Sequence, residues 1–163
     1  MATRVAILSD THLTAEGHLP AVCLEAVRRA DVTLHAGDVS AAVVLVEISR
    51  AARRLHAVHG NVDAPELRRG LPEEVSIRVE EAKIALVHDA GPAKRRLERL
   101  RRRFPDADAV VFGHSHMPLL EQGRGFQIFN PGSPTQRRRA PSHTFGVAAV
   151  DGTEIRFEHV ALD

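Results

Sequence analysis

Five short apolar runs, each closed by a side chain with an oxygen or nitrogen donor, constrain this chain more than any other feature. Val5-Ala6-Ile7-Leu8 runs into Asp10 and His12, and Val32-Thr33-Leu34 into Asp38. Leu55-His56-Ala57-Val58 runs into Asn61, Ile84-Ala85-Leu86-Val87 into His88, and Ala109-Val110-Val111-Phe112 into His114 and His116. Runs this short, rich in Val and Ile and followed by Gly, Asp or Asn, read as buried strands. In open α/β sheets, ligand sites lie beyond the carboxyl ends of the strands. The order of the runs therefore predicts that seven donors gather along one sheet edge.

The segments between the runs carry helical spacing in the first half of the chain. Leu19 to Ala30 places Val22, Leu24, Ala26 and Val27 on one face, and Ala41 to Arg54 does the same with Val44, Leu45 and Ile48. A β-α-β-α-β order implies a parallel sheet with right-handed crossovers. The character then changes. Val75 to Val79 and Lys83 to Val87 flank Glu80-Glu81-Ala82 as a strand pair, and Pro92 to Phe104 reads as a basic amphipathic helix. Phe126 to Phe129, His143 to Val150 and Glu154 to Val160 follow as strands, the last two around the hairpin signal Asp151-Gly152. Parallel units followed by antiparallel strands predict two facing sheets covered by helices. The 163 residues suit one domain, 1–163, large enough for a core without staples.

Charge narrows the range of partners. A net charge of +1 is that of no generally basic nucleic-acid binder. Two local clusters stand out, Lys94 to Arg103 and Arg137-Arg138-Arg139. The first reads as a solvated helix face, and the second fits a plain loop or a phosphate contact equally well. The one cysteine, Cys23, has no partner for an internal disulfide and fits a small buried hydrophobe. No apolar run approaches the roughly 18 residues of a membrane span. The expectation is a cytoplasmic protein with no membrane contact and no nucleic-acid partner, its oligomeric state open.

The donors have a defined chemistry. Asp10 and His12, like His114 and His116, stand at i and i+2, which in extended chain puts both side chains on one face. Gly37 before Asp38 and Gly60 before Asn61 permit tight turns or close approach. Carboxylate, imidazole and amide together suit borderline to hard divalent ions, and the lack of paired thiolates disfavours a structural zinc site. Seven donors exceed one tetrahedral shell and fit two ions sharing a carboxylate.

Ser9-Asp10-Thr11-His12, Gly37-Asp38-Val39, Gly60-Asn61-Val62-Asp63, Val87-His88 and Gly113-His114-Ser115-His116 together resemble the calcineurin-like metallophosphoesterase superfamily. Asn130-Pro131-Gly132-Ser133-Pro134 is similar to the sequence that follows in its small bacterial and archaeal phosphodiesterase branch. The resemblance implies an α/β fold, a four-layer α/β/β/α sandwich with two facing mixed sheets. It also implies a dinuclear centre, with Asp10, His12 and His116 on one metal, Asn61, His88 and His114 on the other, and Asp38 bridging. Manganese is the first expectation for both ions, with iron, zinc, cobalt or nickel as alternatives. A hydroxide shared by the ions would attack a phosphodiester, the expected substrate being a small or nucleotide-type diester.

Asn61, His114 and His59 are the residues expected to act in catalysis itself. Asp63 is expected either to orient a ligand histidine or to form a turn. His35 and His59, beside motif residues, are candidates to assist. Two departures from the family pattern bear on the chemistry. Val62 stands where many monoesterases and nucleases carry a proton-donating histidine, and His88-Asp89-Ala90 replaces a frequent His-Gly-His. The alternatives to a diesterase are a nuclease that uses the basic helix and a non-catalytic scaffold, the role of a retromer subunit with this fold.

Overall fold

The computed structural model describes residues 1–163. The first half lays down β1 (Thr3–Leu8), α1 (Ala21–Arg29), β2 (Val32–His35), α2 (Ala42–Ala51), β3 (Leu55–Ala57) and α3 (Pro65–Gly70). The second half adds β4 (Glu74–Val79), β5 (Ala82–Val87), α4 (Arg96–Arg103), β6 (Ala109–Val111), β7 (Leu119–Gly123), β8 (Phe126–Asn130), β9 (Thr144–Asp151) and β10 (Glu154–Ala161). One five-stranded sheet has the order β10-β9-β1-β2-β3 and the other β4-β5-β6-β8-β7. Both are mixed. β1, β2 and β3 are parallel, as are β5, β6 and β8, while the remaining strands join antiparallel.

Alternation along the strands builds the four layers. Val5 and Ile7 of β1 face the second sheet, where Ile84 and Leu86 of β5, Val111 of β6 and Phe129 of β8 complete the central core. Ala6 and Leu8 face the other way, onto Cys23 and Val27 of α1 and Val44 and Ile48 of α2. On the far side, Ala85, Val87 and Val110 meet Leu100 of α4. Strands covered on both faces need apolar residues at every position, which is why the runs are continuous. Each large aliphatic side chain buried here contributes about 1.5–3 kcal/mol. No helix is long and apolar enough to cross a membrane.

Several boundaries differ from the sequence reading for identifiable reasons. The basic helix starts at Arg96, not Pro92, because Arg95 has a left-handed φ of 52° and the preceding carbonyls are taken by arginine side chains. Arg96 donates to Gly91 O at 3.1 Å, and Arg99 donates to the carbonyls of Ala90, Pro92 and Lys94. The helix is therefore more than a solvated face. Arg101 reaches Gly123 O and lies over the Phe126 ring, and Arg103 pairs with Glu74 at 2.7 Å. α2 stops at Ala51, three residues short of Arg54, because the chain is already extended at Ala52 on its way to β3. Asp151 pairs with Glu154, so the hairpin loop is Gly152-Thr153, one residue later than expected. Two elements have no periodic signal. α3 buries only Leu67, and β7 is an edge strand with no buried residue, held by its pairing with β8.

Candidate metal centre

The loops beyond β1, β2 and β6 turn by an unusual route. Asp10, His12, Asp38, His114 and His116 all have positive φ, between 44° and 73°. Non-glycine residues enter that region rarely and at a cost, and such residues concentrate at functional sites. The extended i, i+2 geometry is thus replaced by left-handed turns. This changes the pairing of donors: Asp10 and His12 still converge, whereas His114 and His116 separate to different clusters.

His116 joins Asp10 and His12, while His114 joins Asp38 and His88, each trio presenting atoms within 4.8 Å of one another. Asp38 Oδ2 lies between the two, 3.6 Å from His12 Nε2 and 3.1 Å from His88 Nε2. Asn61 Oδ1 is 3.1 Å from the same His88 nitrogen. All seven expected donors therefore meet at one place, and one carboxylate oxygen touches both trios.

The two aspartates are used in the same way. Asp10 Oδ2 accepts from Ser9 Oγ at 2.8 Å and from the His114 amide at 3.0 Å, and Asp38 Oδ1 accepts from the Val62 amide at 3.0 Å. The other oxygen of each faces the imidazoles. Asp10 Oδ1 is fully buried and has no hydrogen-bond partner. A buried carboxylate oxygen without a donor is expensive, and this one is 3.5 Å from His116 Nε2 and 3.6 Å from His12 Nε2.

The tautomers sharpen the point. His116 Nδ1 donates to Gln136 O, and His88 Nδ1 donates to Ala36 O at 2.7 Å. Their Nε2 lone pairs therefore point into the clusters. His88 Nε2, Asp38 Oδ2 and Asn61 Oδ1 repel one another unless a proton or a metal cation lies among them. Burial opposes charge on His88, but the hydrogen bond and charge of Asp38, with Asp10 behind it, outweigh burial and raise the pKa. Burial likewise pushes Asp38 up, and the contacts with His88 overcome it and hold the carboxyl below its ordinary value. A divalent ion fits where these groups would otherwise hold a proton.

Glycines and neighbouring polar side chains set this geometry. A Cβ on Gly60 would lie 2.0 Å from Asp38 Oδ1, and one on Gly113 would lie 1.9 Å from Ser9 Oγ. Asp63 binds backbone amides and no ligand histidine, which decides between its two expected roles in favour of the turn. His35 is wholly buried: its Nδ1 accepts from the Gly37 amide at 3.1 Å and its Nε2 faces Thr11 Oγ1 at 3.1 Å. It braces two turns and has no access to a substrate, contrary to the expectation that it could assist. His59 does line a cleft of about 220 Å³ beside Asn61, His88, Arg68, Glu73 and Asp89.

The supports furnished by the chain from Asn130 onward have no counterpart in the donor spacing. Asn130 Nδ2 donates to Gly113 O and Ser115 Oγ, and Ser133 Oγ donates to Asp10 O at 2.7 Å. These bonds join the loop after β1 to the loop after β6. The Asn-Pro-Gly-Ser turn was the available signal.

Two linked clusters at the strand ends of a two-sheet sandwich define a metallophosphoesterase type of fold, and sequence comparison agrees. Residues 3–153 match the calcineurin-like phosphoesterase superfamily domain, and the chain belongs to that superfamily. A probable metallophosphoesterase of Methanothermobacter thermautotrophicus is 27% identical over 159 residues, covering 94% of this chain and 90% of that protein. One from Methanocaldococcus jannaschii is 30% identical over 138 residues, covering 82% and 69%. Among solved structures, Vps29 of Entamoeba histolytica complexed with Zn²⁺ has the same fold, with a TM-score of 0.78 and 22% identity over 99% of this chain and 100% of that one.

Proposed function

We propose that the protein is a metal-dependent phosphodiesterase whose seven clustered side chains hold two divalent ions, with manganese the first choice and zinc, which the Entamoeba neighbour binds, the next. The observation that carries this reading is the partnerless, buried Asp10 Oδ1 in one trio together with Asp38 Oδ2 shared between both. Two ions held there would acidify a shared water and neutralise charge on the phosphoryl and leaving oxygens.

The chain's own residues supply the rest. Asn61 turns its carbonyl oxygen toward His88, leaving its amide hydrogens to donate to a phosphoryl oxygen. His114 is exposed at the mouth of the second trio. Val62, 51% exposed beside Asn61, has no proton to give, so the site favours leaving groups that depart unaided. His59 is the nearest candidate donor in sequence, and its Nδ1 is 3.4 Å from Gly60 O, leaving Nε2 for the cleft. A diester monoanion also brings less negative charge to an attacking anion than a monoester dianion does, which favours diesters.

The nuclease reading loses its main support, because most arginines of α4 are engaged with loop carbonyls, aromatic rings and acids. The scaffold reading rests on likeness of fold alone. The test compares bis(4-nitrophenyl) phosphate with 4-nitrophenyl phosphate as substrates, with manganese and with a chelator. Manganese-dependent turnover with diester preference is expected. Folded protein that turns over neither ester with any divalent ion would overturn the proposal.

A further inference from the structure

The cleft beside the second trio is built from four separate stretches of chain, and the function proposed above uses only its histidine. The turn after β3 brings His59 and Asn61, α3 brings Arg68, the residue before β4 is Glu73, and the end of β5 brings Val87, His88 and Asp89. Asn61 and His88 belong to the clustered donors as well, so the cleft begins where the candidate metal centre ends. Backbone contacts hold its walls together. His59 N donates to Pro72 O at 3.0 Å, which ties the turn carrying Asn61 to the segment carrying Glu73. α3 is fixed by Pro65 at its start, by the Ala64 amide on Ser40 O at 3.3 Å and by the buried Leu67. Of its two arginines, Arg68 lines the cleft and Arg69 does not.

Charge and size decide what the cleft suits. Arg68 is exposed and makes neither an ion pair nor a hydrogen bond, although Glu73 and Asp89 line the same space. Asp89 Oδ1 accepts from Gly91 N at 2.8 Å, which leaves Oδ2 free. One guanidinium set against two carboxylates gives a net negative wall. Such a wall repels a further phosphate and suits a neutral group that accepts from Arg68 and donates to the carboxylates. The volume of about 220 Å³ falls below the roughly 300–1,000 Å³ of clefts that enclose a drug-sized ligand, so there is room for one ring and not for a whole nucleotide. Sugars and nucleobases are neutral rings that carry donors and acceptors together. Guanidinium donates in pairs to the acceptors of a base edge, and carboxylates accept from exocyclic amines.

We propose that this cleft binds a neutral, hydrogen-bonding ring of the substrate, a sugar or a nucleobase esterified to the phosphate at the metal centre, with Arg68 donating to it and Glu73 and Asp89 accepting from it. This rests on the phosphoesterase reading and narrows its substrate to a diester with such a ring on one side.

The test is calorimetric binding of methyl phosphate, ribose 5-phosphate and guanosine 5′-monophosphate to the full, manganese-loaded chain after removal of free metal. The nucleotide is expected to bind about ten-fold more tightly than methyl phosphate, the yield of one hydrogen bond to a charged group. An advantage already present with ribose 5-phosphate assigns the sugar to the cleft, and one held by the nucleotide alone assigns the base. Arg68→Ala should erase the advantage and Arg68→Lys should keep part of it. Arg69→Ala removes the same charge from the neighbouring exposed position and should retain the advantage in full. Equal binding of all three probes to the wild type, or an advantage that survives in folded Arg68→Ala, would overturn the assignment. Methyl phosphate binding that ignores manganese would sink the metal-site reading instead, and the probe ratio in Arg68→Ala would still decide the role of Arg68.

Discussion

The carboxylate of Asp63 accepts a hydrogen bond from the backbone amide of Asp38 at 3.0 Å, across 25 residues of sequence. The same side chain accepts from Ser40 N and Gly60 N, each at 2.7 Å. One buried carboxylate thus fixes the turn that carries Asp38 and the turn that carries Asn61, and so sets the spacing of the two side chains that meet at His88.

Asp63→Ala is expected to lower unfolding free energy by at least about 3 kcal/mol, because three amides lose a charged acceptor and each such bond contributes roughly 1.5–3 kcal/mol. Manganese affinity should fall with it. Urea unfolding and metal titration of the same samples check both. A variant as stable as the wild type would refute the bracing role.

Asp38→Ala removes the side-chain oxygen that lies most closely between the trios, 3.6 Å from His12 Nε2 and 3.1 Å from His88 Nε2. The protein is expected to drop from two bound divalent ions to one or none, with turnover at background. Metal analysis after gentle purification measures the count, and an unchanged count would exclude Asp38 as the bridge.

Val62→His tests the missing proton donor. General-acid assistance is typically worth about 10² to 10⁴ in rate, so the wild type should cleave aryl esters far better than alkyl esters and the variant should narrow that gap. The measurement is kcat/KM for an aryl and an alkyl diester on both proteins. Efficient cleavage of alkyl esters by the wild type would mean that another group, His59 first, already donates the proton.

His35 gives a pH signature. Burial pushes its pKa from 6.5 down to about 4. The unfolded chain takes up a proton as the pH falls through 6.5, while the folded protein resists until about 4. Stability from this group is therefore complete above pH 6.5 and is lost toward pH 4, at about 1.4 kcal/mol per pH unit. In chelator, the wild type should lose stability more steeply across this window than His35→Asn, which keeps an acceptor for the Gly37 amide but has no proton to gain. Parallel slopes would show that His35 is not held neutral.

Cys23 is buried in the α1 interface, and burial pushes its thiol up to about 12. Thiol reagents should leave the native protein unlabelled and modify it fully in denaturant. Rapid native labelling would contradict the packing of α1.

The sequence by itself determined the strand runs, the β-α-β order and the identity of the seven donors. Those features follow from side-chain period and from local turn chemistry, which neighbours along the chain decide. It also carried the order of motifs by which the family is recognised. The partition of donors was implied by the family resemblance but not by local spacing: the left-handed turns at Asp10, His12, Asp38, His114 and His116 send His114 and His116 to different trios where an extended chain would have kept them together. Only the folded structure shows that Asp63 and Ser133 clamp backbone while His35 is sealed inside, because each of these roles depends on partners 24 or more residues away. The arginines of α4 show the same limit. Their spacing reads as a solvated face, and only the approach of the Ala90–Lys94 and Gly123–Arg124 loops supplies the carbonyls that engage them. Period and turn propensity are local properties, whereas a hydrogen-bond partner across the fold exists only once the sheets have closed on each other.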